Sequence, residues 1–204
     1  MLSAHELETL DEAGWLRIER ALSPADVAAT LSGCRDLLDE PDERRRRGDR
    51  PNSGTRHLME LDDRLEQLGS LLQSGPVVEA VTHLLGPDHR ADQVSYRSPQ
   101  PGHGGQSLHA DDVPQLTPGP CQVATAVVAL TEFTATNGAT RVVPGSHRRI
   151  DLQRRSGSLS SHPDEVVLRC EAGDALVFSG HLLHSGTPNR SGAERPALQI
   201  TWRR

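Results

Sequence analysis

Lysine is absent from this chain of 204 residues, in which all 22 strongly basic side chains are arginines. Schiff-base chemistry and pyridoxal phosphate attachment need a lysine amine, so both are excluded. A phosphate-binding P-loop is excluded too, because its motif requires a lysine. The chain also lacks a GxGxxG segment and a GxSxG segment, which argues against dinucleotide binding and against a serine hydrolase. Ten histidines are present, and they direct attention to a metal site.

Cysteine is scarce, and the three that occur, Cys34, Cys121 and Cys170, are far apart and form no CxxC pair. An odd number at such spacing argues against a disulfide framework and against a thiolate zinc site. We therefore expect three reduced cysteines in a cytoplasmic protein.

Long apolar segments and strong charge of one sign are also missing. The longest nearly apolar run, residues 123–130, is too short for a membrane span and is typical of a buried strand. The N-terminal segment carries acids where a signal peptide has a basic start. The net charge of -6 and the lack of a basic face disfavour nucleic acid as a partner. We expect a soluble protein with a small-molecule substrate, and nothing in the sequence specifies its oligomeric state.

The first part of the chain, residues 1–90, predicts helices. Apolar residues recur there at helical spacing in three segments, Ser23–Leu38, Asp62–Leu72 and Val77–Leu85. The first segment begins with a Ser-Pro pair, which favours a helix start, and the third is followed by a glycine, which favours a helix end. Residues 39–55 mix proline, glycine and charge without periodicity and predict a mobile loop.

The second part, residues 91–204, predicts short strands separated by turns. The segments with extended character are Gln93–Arg97, Gln106–Ala110, Gln122–Leu130, Thr140–Val143, Val166–Arg169, Ala175–Phe178 and Ala197–Trp202. Many short strands at near-regular spacing indicate a mainly β sandwich or barrel, with the N-terminal helices packed outside it. Neither part has enough apolar residues to fold alone, so residues 1–204 are predicted to form one domain.

An HxD motif lies at the end of the second predicted strand, as His109-Ala110-Asp111. Side chains two apart on a strand point to the same face, so the imidazole and the carboxylate converge. A third ligand would complete two histidines and one carboxylate, the set used by non-haem iron(II) oxygenases. The second HxD, His162-Pro163-Asp164, lies in a serine-rich segment with proline between its ends, and we interpret it as a turn.

The third ligand is expected from the C-terminal segment GDALVFSGHLLHSGTPNRSGAERPALQITW. Its strand leads to His181 and His184, which differ by an odd number and face opposite ways on an extended chain, so only one of them can bind the metal. Arg195 begins the next strand, whereas Arg190 lies in a turn. Arg195 is therefore suited to pair with a carboxylate of a dicarboxylic cosubstrate.

Three segments carry a resemblance to a known family: RSPQPGHGGQSLHADD, ALTEFTATNGATRVVPGSHR and GDALVFSGHLLHSGTPNRSGAERPAL. The N-terminal LDEAGWLRIERALSPADV fits the same pattern. Together they resemble the phytanoyl-CoA dioxygenase family of iron(II)/2-oxoglutarate oxygenases, and the motifs occur in the expected order over nearly the whole chain. The short chain and the arginine-rich loop depart from larger members of the family.

The resemblance implies a double-stranded β-helix, or jelly roll, of the cupin-like kind. It implies that His109, Asp111 and His184 bind iron(II), and it favours His184 over His181. It also implies that Arg195 pairs with the distal carboxylate of 2-oxoglutarate, which is consumed together with O2. The implied reaction is hydroxylation of a small metabolite with release of succinate and CO2.

Further residues are candidates for the site. Gln106 is predicted to contact the cosubstrate or the substrate, or else to make ordinary strand hydrogen bonds. Tyr96, Arg97 and His103 are candidate substrate contacts, with the core as the alternative place for Tyr96. Arg44–Arg47 form either a solvated run or a lid over an anionic substrate.

Two alternatives to hydroxylation stay open. The same oxidising chemistry gives desaturation, cyclisation or epimerisation when no hydroxyl is transferred to the substrate. A cupin-like metal-binding protein without oxygenase activity is the other alternative, although such proteins more often use three or four histidines.

Overall fold

The computed structural model describes residues 1–40, 54–113 and 121–204. Its helices and strands, in chain order, are α1 (Ala4–Ala13), β1 (Trp15–Ile18), α2 (Pro24–Asp39), β2 (Thr55–Leu58), a 3-10 turn (Glu66–Leu68), α3 (Gly69–Gln73), α4 (Pro76–Leu85), β3 (Arg90–Pro99), β4 (Val123–Ala129), β5 (Thr140–Val142), a second 3-10 turn (Ser146–Arg148), α5 (Ile150–Gln153), β6 (Val166–Val167), β7 (Ala175–Ser179), β8 (His184–Gly186) and β9 (Ala197–Arg203).

Six strands form a large sheet in the order β1-β7-β4-β9-β3-β2, with antiparallel neighbours throughout. Alternation along β4 explains how this sheet separates the two halves of the interior. Ala124, Ala126 and Val128 belong to the main core, which also contains apolar residues of α1, α2 and α4. The intervening side chains, Thr125 and Val127, therefore face the opposite side of the sheet.

A small antiparallel sheet, β6-β5-β8, faces that opposite side. A second core cluster fills the space between the sheets and includes Phe178 of the large sheet, Val142 of the small sheet, and the loop residue Phe133. Two facing antiparallel sheets with helices packed outside form the mainly β sandwich that the strand pattern predicts.

Helix boundaries follow local chemistry. Ser3 caps α1 through a capping box with Glu6, and Ser23 accepts a hydrogen bond from the Asp26 backbone ahead of α2. Such caps stabilise a helix by about 1 kcal/mol each. Gly86 follows α4 with a positive φ of 83°, which the lack of a side chain permits. The predicted helices at residues 23–38 and 77–85 are therefore confirmed.

Three element predictions are wrong. The helix predicted at residues 62–72 begins only at Glu66, as a 3-10 turn followed by α3, because Leu65 adopts an extended backbone with φ -133° and ψ 93°. Residues 106–110 form isolated bridges from Leu108 to Leu159 and from His109 to His184, and not a strand. Strands β1 and β2 lie within the segment predicted to be helical, and both join the large sheet.

The loop predicted at residues 39–55 mostly lies outside the described residues, because positions 41–53 are not described. The proposed lid, Arg44–Arg47, falls within that gap. Asp39 and Thr55 belong to α2 and β2. In the described part of the chain, no helix combines the length and the apolar character needed to cross a membrane.

Candidate metal centre and cosubstrate pocket

His109, Asp111 and His184 converge at one end of the space between the sheets. The two histidines exchange backbone N–H···O hydrogen bonds of 2.9 Å, which bring their ring centroids to 4.5 Å. The Asp111 Oδ1 atom lies 3.9 Å from Nε2 of His109 and 3.7 Å from Nε2 of His184. One ligand atom from each residue lies within 4.8 Å of the others, so the three residues could hold a metal ion.

Backbone carbonyls orient both imidazoles. Nδ1 of His109 donates to the carbonyl of Ser107, and Nδ1 of His184 donates to that of Leu182, each at 3.0 Å. A proton held on Nδ1 leaves the Nε2 lone pair free for a metal. Burial lowers the pKa of His184, which keeps this imidazole in the neutral form that binds metals.

An open pocket adjoins the triad, and its empty space of about 520 Å³ includes solvent at its mouth. It lies between the sheets, and its walls come from β3, β4, β5, β8, β9 and the loop before His109. The residues that line it are Arg97, Pro99, Gly104, Gln106, His109, Val127, Thr140, His184, Ser185, Gly186, Arg195, Ala197, Leu198 and Gln199.

Arg195 lies in this pocket as a buried cation. It is only 6% exposed, and its guanidinium carbon lies 4.4 Å above the centre of the Phe133 ring. Burial, with a smaller contribution from Arg97, lowers the pKa of Arg195 to about 10, so the group stays charged at neutral pH. Its Nε atom is buried and has no hydrogen-bond partner among the described residues. A buried guanidinium with an unpaired N–H group is unfavourable unless an anion binds it.

A sequence model described as phytanoyl-CoA dioxygenase (PhyH) matches residues 10–197. The chain belongs to this family. The family that the three sequence motifs predict is thereby confirmed. One relative, dioxygenase trt7 of Aspergillus terreus, is 31% identical over 167 residues, which make up 74% of this chain and 54% of that protein. The chain thus spans about half the length of that relative.

Solved structures give the same fold. The non-haem 2-oxoglutarate-dependent carbocyclase SnoK from nogalamycin biosynthesis superimposes with a TM-score of 0.79 at 21% identity, covering 99% of this chain and 84% of that chain. HygX from Streptomyces hygroscopicus, solved with nickel and 2-oxoglutarate bound, gives 0.75 at 17% identity, covering 100% and 87%. The jelly-roll fold that the PhyH resemblance implies is confirmed.

His181 lies outside the cluster of possible metal ligands, which includes His184. Residues 180–183 form a turn, so the extended chain assumed for the odd spacing is absent. Nε2 of His181 donates to the Val113 carbonyl at 3.1 Å and lies 3.4 Å from a carboxylate oxygen of Asp112. Asp112 also accepts from the backbone of Gln122 at 2.7 Å. These contacts connect the segment after Asp111 to His181 and to Gln122.

The second HxD motif is a turn, as interpreted. Asp164 donates its backbone N–H to Nδ1 of His162 at 3.2 Å, and the Asp164 carboxylate is 80% exposed. Neither residue belongs to the cluster of possible metal ligands.

Arg97 and Gln106 both line the pocket. Nη1 of Arg97 donates to the side-chain oxygen of Gln199 at 3.3 Å. The side-chain oxygen of Gln106 accepts from the Gly186 backbone at 3.2 Å. The Gln106 amide is therefore fixed against β8, with its NH2 group left for other partners.

Two of the three candidate substrate contacts lie outside the pocket. Tyr96 is 2% exposed within the main core, because it occupies the face of β3 opposite to Arg97. His103 is exposed on the loop after β3, where its ring lies against Gly54. Neither is among the lining residues, so the structure does not bring them together with the triad, and Tyr96 occupies the core position that was its alternative.

Sequence reasoning missed Thr125, which is fully buried on the pocket side of β4. Its hydroxyl donates to Oδ2 of Asp111 at 2.7 Å, leaving Oδ1 as the oxygen near both histidines. The signal was present in the sequence, since a polar residue interrupts the apolar run of β4 at a position that faces inward.

Proposed function

We propose that this chain is an iron(II)- and 2-oxoglutarate-dependent dioxygenase that hydroxylates a small metabolite and releases succinate and CO2. The observation that carries the proposal is the pocket itself, in which a set of two imidazoles and one carboxylate adjoins a buried arginine that has no anionic partner among the described residues. Iron(II) accepts this ligand set and retains open positions for other ligands.

The donor set fits the proposed metal. His109, His184 and Asp111 would hold the ion, with both Nε2 lone pairs and one carboxylate oxygen directed toward a common point. When bound, iron supplies the activation of O2 for the oxidation of the substrate. The chain fixes both imidazoles through backbone carbonyls and the carboxylate through Thr125, so the ligands are oriented before the metal arrives.

Arg195 would bind the distal carboxylate of 2-oxoglutarate. Its charge is retained at neutral pH, its surroundings exclude water, and Phe133 fixes the plane of the guanidinium. An arginine in such a place offers a planar pair of donors that matches a carboxylate. Gln106 lies on the same pocket wall as His184 and would donate its NH2 group to the cosubstrate or the substrate.

HygX, with nickel and 2-oxoglutarate bound, supports the proposed cofactors, since it shares the fold. SnoK, a carbocyclase, keeps cyclisation among the outcomes that a product assay must include. The cytoplasmic location is part of this proposal, and three buried cysteines without disulfides support it.

Direct binding measurements with Ni(II) and 2-oxoglutarate test the proposal without a known substrate. His109→Ala and Asp111→Ala should abolish stoichiometric Ni(II) binding, whereas His162→Ala, in the other HxD motif, should leave it unchanged. Loss of metal in His162→Ala alone would show that the site is misassigned.

In the nickel-loaded protein, Arg195→Met should weaken 2-oxoglutarate binding by at least about 30-fold, because a desolvated charge pair contributes about 2 kcal/mol or more. Arg190→Met, in the turn outside the pocket, is the matched control. Equal 2-oxoglutarate affinity in both variants would contradict the role of Arg195.

A further inference from the structure

Two arginines line the pocket, and no acidic side chain among the described residues lines it with them. Burial lowers the pKa of Arg97, and the charge of Asp111 in the triad opposes this effect only in part. Arg195 enters from the segment just before β9, and Arg97 enters from β3. The pocket therefore presents two separate cations to whatever it binds.

Arg97 forms no ion pair with an acidic side chain among the described residues. Its Nη1 group donates a hydrogen bond to the neutral Gln199 side chain at 3.3 Å. The nearby Glu194 is engaged elsewhere, accepting from Ser98 and Gln100 at 2.9 Å each. The other N–H groups of Arg97 make no hydrogen bond within the described parts of the chain, so they are left for a ligand.

The neighbour across the sheet also carries no compensating charge. His57 pairs with Arg97 in the β2–β3 register and shares its face. Burial lowers the pKa of His57 to about 4, with a smaller contribution from the positive charge of Arg97. This imidazole is therefore neutral at physiological pH. It adds a polar group beside Arg97 without competing for an anion.

The charges of the proposed complex indicate which kind of ligand Arg97 can bind. Iron(II) and Arg195 together carry as much positive charge as Asp111 and the two carboxylates of 2-oxoglutarate carry negative charge. Arg97 is the surplus cation, and its side chain is only partly exposed, so its unbalanced charge is unfavourable. A ligand that brings one further negative charge removes the imbalance.

We propose that the substrate of this enzyme is a carboxylate anion, and that Arg97 binds its carboxylate on the β3 side of the pocket. This inference rests on the proposed function, because the charge count assumes bound iron(II) and 2-oxoglutarate. Arg97 offers the planar donor pair suited to a carboxylate, and its contact with Gln199 holds the guanidinium in place. Arg97 is thereby a specificity-determining residue, distinct in role from Arg195.

Propionate and propionamide have nearly the same shape, but only propionate carries a negative charge. Both are small enough to enter the pocket, so together they test the anion site. We expect propionate to bind saturably to the protein loaded with Ni(II) and 2-oxoglutarate, and propionamide to bind at least tenfold more weakly. Arg97→Gln should weaken propionate binding at least tenfold, while Arg97→Lys, which keeps the charge, should retain part of it. Arg90→Gln, at the exposed start of the same strand, is the control and should behave like the unmodified protein.

The affinity for 2-oxoglutarate, measured by calorimetry in the same variants, separates the outcomes. It should change less than threefold in Arg97→Gln, which also shows that the variant is folded. A tenfold loss of 2-oxoglutarate affinity would overturn the inference, because Arg97 would then belong to the cosubstrate. Propionate binding that is absent, or that persists in Arg97→Gln, would overturn it as well. Failure of the unmodified protein to bind 2-oxoglutarate would refute the proposed function instead.

Discussion

Single hydrogen bonds fix each proposed metal ligand. His109 and His184 each use a carbonyl two residues earlier in the chain, so the local backbone sets their ring orientation. Asp111 depends on a side chain from a different segment, because Thr125 of β4 donates to the carboxylate oxygen that is not directed at the histidines. The carboxylate is thus the ligand whose orientation depends on the packing of a separate strand.

Thr125→Val should weaken Ni(II) binding by about tenfold, because loss of a hydrogen bond that orients a ligand typically lowers metal affinity by that order. Valine has nearly the same shape, so the strand should pack as before. Thr201→Val is the matched control, since Thr201 lies directly opposite Thr125 in the β4–β9 register. Calorimetric titration measures both, and equal affinities would show that the Thr125 hydroxyl is dispensable.

The Arg141 side chain connects several segments around the pocket through hydrogen bonds. Nη1 of this β5 side chain contacts both carboxylate oxygens of Glu165 at 2.9 and 3.0 Å, and Nε donates to Ser185 of β8 at 2.8 Å. Nη2 donates to the carbonyls of Gln106 and Ser160 at 3.1 and 2.7 Å. Every nitrogen is used, and the group is largely buried.

Arg141→Met should lower the free energy of unfolding by about 3–5 kcal/mol, since it leaves a partly buried carboxylate and two carbonyls without their donor. Urea unfolding of the metal-free protein gives this value. Arg149→Met, which breaks an exposed arginine–aspartate pair, is the control and should leave the midpoint unchanged. In Arg141→Met/Glu165→Gln the loss should be smaller than the sum of the single losses, with a coupling of about 2 kcal/mol. Strictly additive losses would contradict a direct Arg141–Glu165 interaction.

Some elements could be predicted from the sequence because their apolar pattern is strong. The runs in β4 and β7 and the capped start of α2 are of this kind. Strand β2 has the sequence TRHL and β8 has HSG, and neither carries an apolar alternation that could be recognised. Their pairing partners lie more than thirty residues away in the chain and define them. Tertiary pairing thus decides these strands, and local propensity does not.

The proposed metal ligands could be predicted because an HxD motif places two of them within three residues, whereas the rest of the site could not. His184 could be distinguished from His181 only by resemblance, since the turn at residues 180–183 removes the regular alternation that a strand would show. The position of the Tyr96 side chain could not be predicted. Both faces of β3 can be buried, because helices cover one side of the sheet and a second sheet covers the other.

Over the whole molecule, buried neutral histidines make the fold sensitive to acid. Burial lowers the pKa values of His57, His147 and His184 below the ordinary value. A histidine of this kind binds a proton in the unfolded chain at a pH where the folded chain does not bind it. The stability contribution is therefore complete above about pH 6.5 and declines as the pH falls. For His57 the decline ends near pH 4, where the folded state is protonated too.

The metal-free protein should accordingly lose stability between about pH 7 and about pH 5, and His57→Gln should remove part of that loss. For a partly buried histidine whose pKa falls to about 4, the part is about 1–2 kcal/mol after allowance for solvent screening. Urea unfolding at the two pH values measures it, with His5→Gln on the exposed surface of α1 as the control. Carboxylates also titrate in this range, but they do so in both His57→Gln and His5→Gln. The difference between these two variants in the free energy lost therefore isolates the contribution of His57. If the two variants lose the same free energy, His57 titrates alike in the folded and unfolded chains, and its neighbour Arg97 does not face a neutral imidazole.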